Sequence, residues 1–137
     1  MIPKYLLDTN VISELTKKVP DSSVVEFWSR LEEITISVIT LEEIEFGIGR
    51  MKTSKKEILE KWWDEFKNIP PQILPITPEV ARISANLRSK EELNGRVITQ
   101  ADSLLSATSL FTGRIFVTRN TKDFQNMGIA LLNPFSV

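Results

Sequence analysis

Four acidic residues stand where a chain could gather them into one reactive site. Asp8 directly follows the apolar run Tyr5-Leu6-Leu7, Glu43 follows the β-branched run 34–39, Asp102 follows Thr99, and Asp123 follows Ile115-Phe116-Val117. The 137-residue chain contains no histidine and no cysteine. That excludes disulfides, thiolate zinc sites, cysteine nucleophiles, serine-histidine triads and imidazole acid-base chemistry. Catalysis would have to run on carboxylates, hydroxyls, Lys, Arg or a metal held by oxygen, and an all-oxygen donor set selects a hard cation such as Mg2+ or Mn2+. Carboxylates packed together repel one another, so some stay protonated unless a cation compensates. A divalent ion so held would acidify water and polarise a phosphoryl oxygen, which makes phosphodiester hydrolysis the natural reaction.

The same acids have a purely structural explanation. Thr40-x-x-Glu43, Thr99-x-x-Asp102 and Asn120-x-x-Asp123 all have the spacing of a helix cap, and a carboxylate in a first helical turn favours the dipole in any case. Spacing alone leaves both readings open. Asp102 joins the others only if its helix begins beside the same edge, which periodicity does not establish.

The elements that must position these groups alternate between strand and helix. Tyr5-Leu6-Leu7 reads as a strand feeding a helix with Val11, Ile12 and Leu15 on one face. After the break at Pro20-Asp21, Ser23 and Glu26 have capping-box spacing ahead of a second helix. The run 34–39 predicts a strand leading into a helix capped by Thr40, with Glu43 in its first turn. From Ser54, Ile58, Leu59, Trp62, Trp63 and Phe66 form an apolar stripe on a helix that ends before Pro70-Pro71. A brief strand at 73–76 precedes Thr77-Pro78-Glu79, an N-cap with a first-turn proline, and Asn94-Gly95 stops the helix that follows. A helix from Thr99 to Gly113, a strand at 115–117, a turn around Asp123-Phe124 and a last strand at 130–132 complete the pattern. Such alternation predicts a three-layer α/β/α sandwich with a mainly parallel central sheet, spanning residues 1–137 as one domain. In a parallel sheet the residues just after each strand converge on one edge, where ligands bind.

With 17 Lys plus Arg against 18 Asp plus Glu, the net charge is -1, which neither demands nor excludes a nucleic-acid partner. No window approaches the length of a membrane span, and Met1-Ile2-Pro3-Lys4 opens into a strand-like run rather than a signal peptide, so the cytoplasm is the expected compartment.

In order along the chain, the segments Leu6-Leu7-Asp8-Thr9-Asn10-Val11-Ile12-Ser13-Glu14-Leu15, 37–48 around Glu43, 94–108 around Asp102, Val117-Thr118-Arg119-Asn120-Thr121-Lys122-Asp123-Phe124 and Leu131-Leu132-Asn133-Pro134-Phe135 resemble the PIN-domain ribonucleases of the VapC toxin type, in particular their FitB-like branch. The resemblance implies a metal-dependent endoribonuclease, the toxin of a type II toxin-antitoxin module, leaving 5'-phosphate and 3'-hydroxyl ends. It implies that Asp8, Glu43 and Asp102 surround Mg2+ or Mn2+. For the fourth ligand it implies Asp123 in preference to Asn120, because some relatives carry an acid at the position of Asn120 and others three residues later. Thr9, Asn10, Thr118 and Asn120 would hydrogen-bond around these acids, although a turn or cap role explains each nearly as well. Implied partners are single-stranded RNA, a small cognate antitoxin covering the acidic pocket, and a second copy in a homodimer or a higher assembly with the antitoxin. Trp62 and Trp63 would serve either association or the core.

RNA approaching an acidic site needs cations at its rim. Arg119 and Lys122 bracket the expected edge, with Lys17, Lys18, Arg50, Lys52, Lys55, Lys56 and Arg96 further afield. Two rival readings remain. A non-catalytic module of the same fold would use the acids as caps and as an anchor for a basic partner. A phosphomonoesterase or phospho-acceptor using Asp8 as nucleophile lacks a phosphate-cradling glycine loop.

Overall fold

A computed structural model describes residues 2–69 and 71–137; the expectations touching Met1 and Pro70 fall outside them. Among the described residues, five short strands, β1 (Tyr5–Leu7), β2 (Thr35–Ser37), β3 (Gln72–Leu74), β4 (Ile115–Val117) and β5 (Leu131–Leu132), alternate with six helices. These are α1 (Thr9–Glu14), α2 (Ser22–Ser29), α3 (Val38–Gly49), α4 (Lys55–Asn68), α5 (Pro78–Leu93) and α6 (Gln100–Thr112), and a single 3-10 turn spans Thr121–Phe124. Strands β1, β4 and β5 form one parallel ladder and β2 and β3 another. The two ladders meet where β1 lies beside β2, giving the spatial order β3-β2-β1-β4-β5.

Period-two alternation explains the layers. Leu7, Val117 and Leu132 point to one side, into a core with Val11, Ile12, Val24, Ile44, Trp63 and Phe66 from α1 to α4. Their neighbours Leu6, Phe116 and Leu131 point to the other, packing with Leu87, Leu105, Phe124 and Met127. Strands buried on both faces read as continuous apolar runs, as these do. The architecture is therefore the expected three-layer α/β/α sandwich with a mainly parallel sheet.

Several local expectations change. Strand β2 ends at Ser37 rather than 39, because the Ser37 hydroxyl accepts from the Ile39 N–H at 3.0 Å and starts α3 three residues early. Thr40 is consequently inside the helix, with its buried hydroxyl unpartnered, and Glu43 lies in the second turn. Likewise α2 is capped by Asp21, not Ser23: its carboxylate accepts from Ser23 N and Val24 N at 2.8 and 3.3 Å, a stronger acceptor set two residues earlier. The outer strands are shorter than expected, at 72–74 and 131–132.

The seam between β1 and β2 is tied by a side chain. Arg114, buried just before β4, donates from Nη1 to the Tyr5 carbonyl (3.2 Å), the Thr35 hydroxyl (3.3 Å) and Glu33 Oε1 (3.5 Å), and from Nη2 to Gln72 Oε1 (3.2 Å). One guanidinium thus joins the starts of β1, β2 and β3 to β4. Trp63 and Phe66 stack in the core with centroids 5.2 Å apart, and half-buried Trp62 packs on the same cluster. The tryptophan pair is core here.

Candidate metal centre at the carboxyl edge of the sheet

Asp8 sits at the end of β1, beside the end of β4, where strand order reverses. It caps α1: Oδ1 accepts from the Thr9 N–H at 2.7 Å, while Oδ2 accepts from the Thr118 hydroxyl at 2.8 Å and the Asn10 amide at 3.2 Å. The Thr118 hydroxyl also accepts from the Asn10 amide (3.3 Å) and from the Asn120 N–H (3.1 Å). Thr9 in turn donates to Glu43 Oε1 at 3.1 Å. Four of the expected supporting residues, Thr9, Asn10, Thr118 and Asn120, therefore belong to one network around Asp8.

Helix α6 brings in Asp102, the position periodicity alone could not assign. Helices α5 and α6 pack along each other and share a buried Ser84–Ser103 hydroxyl contact of 2.8 Å. Thr99 caps α6 by accepting from the Asp102 N–H at 3.1 Å, a bond that engages the Asp102 backbone and not its carboxylate. Asp123, exposed in the 3-10 turn, is near enough for its charge to act on Asp102.

Electrostatics ties these acids together. Burial pushes the Asp8 carboxyl above its ordinary value, against hydrogen bonds from Thr118, Thr9 and Asn10. Glu43 is raised by partial burial and then by the charges of Asp8, Asp102 and Glu42, with the Thr9 hydroxyl opposing. Asp102 is raised by burial and by Asp8 and Asp123, with Thr99 opposing. Glu42 is a member of this field that spacing did not single out; its only sequence signal is adjacency to Glu43. Four elements, remote in sequence, thus present mutually repelling carboxyl groups at one edge.

The donor set suits a hard divalent cation, since every group is an oxygen and each raised carboxyl gains from a positive neighbour. The arrangement is nevertheless open: among the described residues no three acids are spaced to hold an ion between them as they stand. Glu43 is turned toward Thr9, so coordination calls for side-chain rotation. A cavity of about 770 Å3 lies elsewhere, along α2 and the entry to β1, and none of the four acids lines it.

Among the rim cations, Lys17 pairs with Glu14 at 2.8 Å, Arg96 pairs with Glu91, and Lys56 donates to the Gly49 carbonyl. Arg119 and Lys122 are exposed on the segment after β4, and no carboxylate pairs with either among the described residues. The Arg119 N–H donates to Asn10 Oδ1 at 3.1 Å, fixing its backbone beside Asp8.

A parallel sheet bearing this acidic edge agrees with the sequence profile of the PIN domain, which matches residues 5–130; the chain belongs to the PIN-domain family. It is 33% identical over 135 residues to the VapC ribonuclease Y4jK of Sinorhizobium fredii, spanning 95% of this chain and 96% of that protein. It is 34% identical over 137 residues to Toxin FitB of Neisseria gonorrhoeae, spanning 95% and 97%. The crystal structure of FitAcB from Neisseria gonorrhoeae superposes with a TM-score of 0.84 at 33% identity, over 95% of this chain and 97% of that one. No helix among the described residues is long and apolar enough to cross a membrane.

Proposed function

We propose that this chain, as a single PIN-like domain over residues 1–137, is a metal-dependent endoribonuclease and the toxin of a type II toxin-antitoxin module. The observation that carries the reading is that three different elements bring Asp8, Glu43 and Asp102 within one another's electrostatic reach: burial raises Asp8, Asp8 and Asp102 add to the raising of Glu43, and Asp8 adds to that of Asp102. Similarity to a VapC ribonuclease and to Toxin FitB supports RNA as the substrate and a small antitoxin as the partner. A homodimer, or a higher assembly with the antitoxin, belongs to the same proposal, as does a cytoplasmic location.

Asp8, Glu43, Asp102 and Asp123 would hold Mg2+ or Mn2+, which when bound supplies positive charge at the scissile phosphate and lowers the pKa of water. Thr118, Asn10 and the Thr9 N–H hold both oxygens of the Asp8 carboxylate in place, so the group needs little reorganisation when charge develops. Arg119 and Lys122 lie at the rim to receive flanking phosphates.

The test is Asp8→Asn. Cleavage of a single-stranded RNA in Mg2+ or Mn2+, and growth inhibition on expression, should both disappear while the circular dichroism spectrum stays that of the parent. Undiminished cleavage by the folded variant would remove Asp8 from the mechanism. The non-catalytic reading draws on the caps made by Asp8 and Thr99; it predicts a parent protein whose melting temperature ignores both cations.

A further inference from the structure

The C-terminal segment 133–136 reaches the acidic edge without contributing an acid. It leaves β5, which pairs with β4, turns on a local Asn133 contact, and is tied to α2 at its far end. Asn133 Oδ1 accepts from the Phe135 N–H at 3.0 Å. The Ser136 N–H donates to both Asp21 carboxylate oxygens at 3.4 and 3.2 Å, and its hydroxyl lies 2.9 Å from Asp21 Oδ1 and 2.9 Å from the Ser23 hydroxyl. Asp21 is itself fixed, since it caps α2 and its N–H donates to Glu14 Oε2 at 2.9 Å. Between these anchors the half-buried Phe135 ring packs against the core of α1 to α4. The Arg119 guanidinium carbon lies over that ring, 4.8 Å from its centroid.

We propose that Phe135 is a positioning residue: its ring holds the Arg119 guanidinium at the acidic edge, ready to receive an RNA phosphate. The inference rests on the ribonuclease reading above. Arg119 is tied at its root through Asn10, whose amide also donates to Asp8 Oδ2, and at its tip through the ring. A guanidinium stacked by its face keeps its edge N–H groups for a phosphate, which it binds in a two-pronged fashion. A carboxylate in the place of the ring would occupy those donors and cancel the charge. The aromatic face instead orders a long, flexible side chain while leaving its charge unspent, so less freedom is lost when substrate arrives.

Core packing and cation stacking are separated by replacing Phe135 in the full chain with 4-fluoro-, 3,5-difluoro- and pentafluorophenylalanine, which keep the ring but progressively weaken its negative face. The readout is cleavage of a fluorescein-labelled single-stranded oligoribonucleotide. KM should rise stepwise along the series by about two- to fivefold in total, with kcat and melting temperature unchanged. In the Arg119→Gln background, where KM is already raised, the series should be flat. A flat series in the otherwise unaltered chain, or an equal rise in the Arg119→Gln background, overturns the role of Phe135. If the unaltered chain cleaves no RNA, the ribonuclease reading fails and this inference fails with it; a flat series in an active enzyme removes this inference alone.

Discussion

Arg114→Met offers a direct measure of what joins the two strand ladders. Methionine keeps most of the buried stem but removes every donor, leaving the Tyr5 carbonyl and the fully buried Thr35 hydroxyl without their guanidinium partner. Two such hydrogen bonds to a charged group are worth about 1.5 kcal/mol each. The contacts to Glu33 and Gln72 add little, because both residues are exposed and water replaces the lost donor. Against this, the buried Arg114 Nε already lacks a partner, and removing it returns about 1 kcal/mol. The net loss is about 2 kcal/mol, or about 7 °C in melting temperature for a domain of this size. Urea denaturation followed by tryptophan fluorescence, with thermal melting alongside, measures it. Glu33→Gln, the control, should stay within about 0.5 kcal/mol of the parent. If Arg114→Met is as stable as the parent or more so, the guanidinium is not what holds the seam, and the apolar contacts of β1 with β2 suffice.

Three further outcomes are expected. Because the folded carboxyls of Asp8, Glu43 and Asp102 lie above their ordinary values, the unfolded chain releases these protons first as pH rises, so their contribution to stability falls through that window and stays low above it. Mn2+ or Mg2+ should therefore raise the melting temperature most above the window and have no effect below the ordinary carboxylate range; a cation-independent melting curve at neutral pH contradicts the shared field. Asp123→Asn should weaken cation-dependent cleavage by about 10- to 100-fold, whereas Asn120→Ala should leave it near the parent level, and the reverse order of effects transfers the fourth ligand position to Asn120. Gly113 ends α6 with φ +66°, and a Cβ there meets nothing within 4 Å. Gly113→Ala should thus cost about 1 kcal/mol from backbone conformation alone, measurable by urea titration, and a neutral result would mean the turn relaxes.

The strand-end acids were legible because local signals produced them: a short apolar run stopping at Asp8, and another at 115–117 shortly before Asp123. Asp102 was legible only through resemblance, since its placement depends on α5 packing along α6 and not on any preceding strand. The cap of α3 falls at Ser37, not Thr40, although only Thr40 has an acid three residues on; competition between the two hydroxyls for the first free N–H groups is decided by where β2 stops pairing with β3. Arg114 carried no local signal at all: its partners Tyr5, Glu33, Thr35 and Gln72 lie 42 to 109 residues away. Phe135 and Arg119 each lie within a motif, but their stacking has no local signal, since it depends on Asp21 anchoring the tail.

Strands of three residues leave the backbone no slack. Because Leu6 and Leu7 supply opposite cores, adding one residue between Leu7 and Asp8 would either carry the carboxylate away from Thr118 or turn both leucines to the wrong side. Length variation among functional versions of this chain should accordingly be confined to surface connections such as 16–20 and 51–54, while the junctions between strand and acid keep an invariant residue count.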